Sequence, residues 1–173
     1  MLLSALAHHA VARAQVRDLE PAVKATFLTR FAAFVEWPTV SFVDAEAPVV
    51  ICVAGDAVMS ELVDAAARGE RIGARQMLVR RYSAVHRNSG CHILFAAGAP
   101  GQNVAQMLDV VSDEPVLTIT DEMHGARRGM IHFVVEGARV RFHVDRDAAD
   151  AAGLAINSRL LGVALSVRSR RST

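Results

Sequence analysis

Cys52 and Cys91 are the only cysteines in the chain, and each lies in an apolar run, VVICVA or CHILFA. Two thiols can bridge in an oxidising compartment and stay reduced in the cytosol. Their spacing excludes a CxxC redox motif. If the two runs are neighbouring parallel strands, about 4.8 Å apart, a bridge is within reach. Closing that loop of about 40 residues would stabilise the fold by roughly 3–4 kcal/mol on the chain-entropy estimate. The alternative is two independent buried thiols acting as small hydrophobes.

The other reactive side chains do not converge in sequence. Asp121, Glu122 and His124 are close together, and His132 and His143 lie on two arms of a possible hairpin. No HExxH or paired CxxC spacing accompanies them, as a zinc site would need. Alternation sets His132 opposite Ile131 and Phe133, and His143 opposite Phe142, so both histidines are expected to face solvent. No GxSxG elbow is present. Gly98 to Gly101 lacks both phosphate-loop patterns, so no cofactor is expected. Asp145, Asp147 and Asp150 read as helix-start charges favoured by the dipole. The turn at Gly55-Asp56 and the pair Arg127-Arg128 remain as groups that could touch a small anionic ligand. No enzymatic constellation emerges.

The elements that would position these residues alternate. Glu20 to Glu36 has helical period, with Val23, Phe27, Phe31 and Phe34 as its buried stripe and Lys24 and Arg30 off it. Pro38 ends that segment. Continuous apolar runs at Val49–Ala54, Cys91–Ala96 and Val116–Thr120 read as strands covered on both faces, with Gln76–Tyr82 a further one. Ala57–Arg68 and Gln102–Val111 read as helices between them. Met130–Glu136 and Arg139–Val144 flank a Gly-Ala turn and predict a hairpin. Asp145 caps a helix over Arg146–Ala152, Gly153 ends it, and Asn157–Val167 is a last helix. The sum is an α/β domain with a mixed, mostly parallel sheet of five or six strands, helices on both faces and a C-terminal antiparallel hairpin.

One domain is expected from 173 residues, and 52% hydrophobic residues are enough to fill its core. A net charge of +1 argues against a dedicated nucleic-acid binder. No run reaches the roughly 20 apolar residues of a membrane span. Residues 1–14 are alanine-rich and end in Ala12-Arg13-Ala14, which is expected to be the remnant of a secretory signal peptide. Residues 168–173 are expected to be a basic tail around the 20–167 domain.

The stretch KATFLTRFAAFVEWP (Lys24 to Pro38) resembles the opening helix of the YfiR-like family. VVICVAGD, CHILF and PVLTITD follow in the family's order. GMIHFVVEGARVRFHVDRDAADAAGLAINSRLL (Gly129 to Leu161) resembles its ending. The resemblance implies a periplasmic, non-catalytic regulator that inhibits an inner-membrane diguanylate cyclase through that enzyme's periplasmic sensor region. An outer-membrane lipoprotein would relieve the inhibition by sequestering the regulator, with cyclic di-GMP and biofilm formation as the output. It also implies homodimers and an oxidised pair at Cys52 and Cys91.

Two surfaces follow as expectations. Hairpins add sheet edges, and edges recruit partners, so Arg139, Phe142, His143 and Asp147 are the candidate partner contacts. Under an alternative reading, a periplasmic small-molecule sensor, Gly55, Asp56, Arg127 and Arg128 would line the ligand site.

Overall fold

The computed structural model describes residues 19–169. The expected signal remnant and the end of the basic tail lie outside the described residues. Helix α1 (19–31) continues through a 3-10 turn at Ala32–Phe34 into β1 (Val35–Glu36). The remaining elements are β2 (Val49–Ala54), α2 (Ala57–Ala67), β3 (Arg71–Ile72), β4 (Arg75–Tyr82), β5 (Ile93–Ala96), α3 (Val104–Val110) and β6 (Leu117–Asp121). After a 3-10 turn at Glu122–His124 come β7 (Ile131–Glu136), β8 (Arg139–Asp145), α4 (Arg146–Ala151), β9 (Ala155–Ile156), α5 (Ser158–Val163) and β10 (Ser166–Arg168).

Eight strands of the described residues form one sheet in the order β10-β8-β7-β6-β5-β2-β4-β3. Six long strands make up its body, and β3 and β10 extend its two edges. Strands β4, β2, β5, β6 and β7 run parallel. The β7–β8 hairpin and the β3–β4 pair are antiparallel. In order of appearance the parallel strands read 2-1-3-4-5, the doubly wound arrangement, with its topological switch point between β2 and β5.

Burial follows the pleat. Odd-numbered residues of β2, β5, β6 and β7, such as Ile51, Phe95, Ile119 and Phe133, meet α1, α2, α4 and α5. Even-numbered residues of β2 and β5, such as Cys52 and Leu94, meet α3 on the opposite face. Because these strands are covered on both sides, they need apolar residues at every position, which is why their runs are continuous.

Four expectations change. The buried face of α1 runs through Lys24, Ala25, Leu28 and Phe31, while Val23 is 41% exposed. The stripe is thus turned by about one residue. The expected helix over Asn157–Val167 stops at Val163, because the chain turns to pair β10 with β8 in parallel. Arg168 therefore belongs to a strand and not to a free tail. Strand β5 starts at Ile93, so Cys91 leads into it from outside.

Candidate functional sites at the two ends of the sheet

At the carboxyl end of the parallel strands lies the switch-point crevice. Here Gly55 follows β2 with φ +87°, and a Cβ built on it would sit 1.9 Å from the Gly98 carbonyl oxygen. Only glycine fits there, and the two loops meet backbone to backbone. Asp56 caps α2 by accepting from the Met59 N–H at 2.8 Å. Its other oxygen lies 3.8 Å from His124 Nε2. Arg127 pairs with Asp109 of α3 at 3.1 Å. Arg128 is exposed. Of the four alternative ligand contacts, Gly55 and Asp56 thus stand at the crevice, filled by their own chain.

Beside them α1 is fastened to the sheet. Lys24, 1% exposed, forms ion pairs with Glu20 one turn earlier and with Asp121 at the end of β6. Asp121 also accepts from the Met123 N–H at 3.0 Å. Spacing had assigned Lys24 to solvent. The signal that could have placed it inside is composition, since it is the only lysine among 19 basic residues. A buried ammonium persists only with partners, and here two carboxylates supply them.

His132 is a second correction. It is 3% exposed, because the chain between β6 and β7 covers this face. Thr120 Oγ1 accepts from the Gly129 N–H at 2.9 Å and lies 2.9 Å from His132 Nδ1. Burial is the main cause that lowers the His132 pKa, followed by the positive charge of Arg128. Gly129 has its own constraint, since a Cβ there would lie 2.7 Å from the Thr118 carbonyl oxygen.

The amino end of the sheet is built differently. Strand β1 pairs antiparallel with β9, setting Val35 opposite Ile156, and the Asn157 N–H donates to the Phe34 carbonyl at 2.9 Å. Trp37 Nε1–H donates to the His92 carbonyl at 3.2 Å. The His92 ring stacks on Phe42 at 4.4 Å, and the Arg75 guanidinium lies 3.6 Å over the other face of Phe42. His92 Nδ1 accepts from the Val50 N–H at 3.1 Å, so Nε2 carries the proton and donates to the Ser41 carbonyl at 3.0 Å. Burial, above all, lowers the His92 pKa; the Ser41 bond opposes this, and Arg75 and Arg80 add to it. The adjacent residue, Cys91, is bonded to Cys52 with Cα atoms 5.7 Å apart. Geometry thus closes the choice between bridge and free thiols.

The hairpin expected to contact a partner is largely internal. Phe142 is 3% exposed and packs against Phe31 and Phe27 at 5.1 and 5.8 Å, so it offers no surface. His143 Nδ1 lies 2.6 Å from Ser166 Oγ of β10. Strand β10 pairs with the His143–Asp145 part of the edge of β8. Arg139 is exposed and pairs in register with Glu136. Asp147 is half-buried in the first turn of α4.

Other concavities carry less. An open groove of about 450 Å3 between α2 and β4 is lined by Ser60, Glu61, Asp64, Arg68, Val79 and Arg81. Its charges cancel in pairs, Arg68 with Asp64 and Arg81 with Glu61. Among the described residues no three metal-ligating side chains converge, and no helix is long and apolar enough to cross a membrane.

Fold and site together define a doubly wound, disulfide-bonded domain in which the loops of Gly55 and Gly98 meet backbone to backbone at the switch point. The chain belongs to the YfiR/HmsC-like family, whose pattern it matches over residues 21–165. That family consists of periplasmic, non-catalytic regulators of cyclic di-GMP signalling. No curated protein matches the chain.

Proposed function

We propose that the protein is a non-enzymatic periplasmic repressor that binds the periplasmic sensor region of a membrane diguanylate cyclase and holds it in its inactive state. The observation that carries this reading is the family match over almost the whole described domain. Binding one conformation of the sensor shifts its population without any chemistry on the regulator's side. The filled crevice at Gly55 and Gly98 favours this reading over a small-molecule sensor. The Cys52–Cys91 bond fits an oxidising compartment. A lipoprotein that sequesters the regulator, and a homodimer, are further parts of the proposal.

Deleting the gene in its host and measuring cyclic di-GMP by mass spectrometry tests the reading. A rise that the wild-type gene reverses is expected. An unchanged level overturns it.

A further inference from the structure

The segment from Pro38 to Ala47 has no regular structure beyond one 3-10 turn, yet its inward groups are held. The His92 ring stacks on Phe42 and donates to Ser41, and Arg75 donates to the Asp44 and Ala47 carbonyls at 2.8 and 2.7 Å. The Asp44 carboxylate accepts from the N–H groups of Glu46 and Ala47. Two large side chains on this fixed loop point out. Val40 is 88% exposed and Val43 is 93% exposed, the two highest values among the large hydrophobic residues described. A loop fastened from beneath and tipped with two exposed apolar groups fits a surface that a partner covers.

Charge narrows what the cover is. From Phe31 to Ala67 the sequence holds no Lys or Arg, while Glu36, Asp44 and Glu46 flank the valines in sequence and are exposed. Arg75, the cation that touches the loop, is turned inward over Phe42. An acidic border is repelled by anionic lipid headgroups. It is complemented by a protein cleft with an apolar floor and Lys or Arg on its rim.

We infer that the Val40–Val43 loop is the partner-docking surface of this protein, and that its occupant is an apolar, basic-rimmed cleft on the periplasmic part of the membrane cyclase. This rests on the proposed function for the partner's identity, but not for the chemistry of the cleft. The preformed loop loses little conformational freedom on docking, so its two anchors act at nearly full strength.

The test uses the full chain in its host. Val40→Asp with Val43→Asp is compared with Val58→Asp, an exposed valine at the other end of the sheet, where an acid suits the start of α2. Replacing two central anchors should weaken docking about a hundredfold, so that the double variant gives the cyclic di-GMP level of the deletion strain. It should still accumulate, keep its disulfide and melt with the wild type, and Val58→Asp should repress normally. Full repression by the double variant, in a strain where deletion raises cyclic di-GMP, overturns the surface and leaves the regulatory reading standing.

If deletion changes nothing, the regulatory reading fails and a photo-crosslinking residue at position 43 decides the surface alone. An adduct mapped to an apolar stretch flanked by Lys or Arg in a membrane protein's periplasmic part supports it. An adduct with a second copy of this chain, an adduct with lipid, or no adduct overturns it.

Discussion

The two ends of the sheet solve opposite problems. At the carboxyl end, where doubly wound folds leave a crevice for ligands, Gly55 and Gly98 press backbone against backbone and Lys24 ties α1 down through two carboxylates. At the amino end, a column of Arg75, Phe42 and His92 supports a loop that ends in two exposed valines. Distant stretches of the chain meet at that second end, where β1 of the FVEWP stretch pairs with β9 of the AGLAIN stretch. The CHILF stretch meets them there through His92. One end is closed for stability and the other is built for display.

Breaking the closed end should give the largest effect. Lys24→Met leaves the buried Asp121 and the half-buried Glu20 without their cation, which costs about 3–5 kcal/mol. For a domain of this size that lowers the melting temperature by roughly 10 °C. The same substitution in an Asp121→Asn background should cost less, because one orphaned charge is gone. Calorimetry of the three variants measures this coupling. Equal costs in both backgrounds would mean that Lys24 acts by packing alone.

The display end leans on the disulfide beside His92. Opening Cys52–Cys91, by reductant or by Cys52→Ala with Cys91→Ala, releases a 39-residue separation in the unfolded chain. The expected loss is about 2–4 kcal/mol, a little below that of Lys24→Met. Thermal melts with and without reductant check it, and the double alanine variant should no longer respond to reductant.

Two histidines of the sheet are buried, His92 at its amino end and His132 level with Thr120 near the end of β6. Burial lowers each pKa in the folded state below the ordinary 6.5. The folded protein then binds fewer protons than the unfolded chain as pH drops below 6.5. Their contribution to stability is complete above that pH and is lost as the solution is acidified towards the folded-state values. Each residue adds a slope of at most about 1.4 kcal/mol per pH unit. His132→Asn, whose amide can still hydrogen-bond with Thr120, should flatten part of this dependence in melts between pH 5 and 7.5. A profile unchanged by the substitution would remove His132 from the account.

The strands were legible because doubly covered strands must be apolar throughout, and VVICVA and CHILFA read so directly. What sequence could not convey is which faces the rest of the chain covers. Period-2 alternation gave His132 to solvent, yet the chain after β6 folds over that face. The same alternation put Phe142 on a defined face but could not say that α1 lies on it. Lys24 was read as solvated because its type is usually so, and its two carboxylates come from separate elements. The last helix was overrun for a tertiary reason, the vacant edge of β8 that β10 fills. The display loop was missed because exposed valines carry no periodic signal.

The smallest effect sharpens the contrast between the ends. Strands β6 and β7 run parallel, so the tip of the β7–β8 hairpin lies at the closed, carboxyl end, and Arg139 stands there exposed opposite Glu136. Its guanidinium stands in water, and surface substitutions of this kind change stability by less than about 0.5 kcal/mol. Arg139→Ala should therefore melt with the wild type and, if partners dock at the valine loop, leave cyclic di-GMP at the wild-type level. A variant that folds normally but fails to repress would move the docking surface to the hairpin tip. The closed end would then be a contact surface as well as a clamp, and the separation of roles between the two ends would be lost.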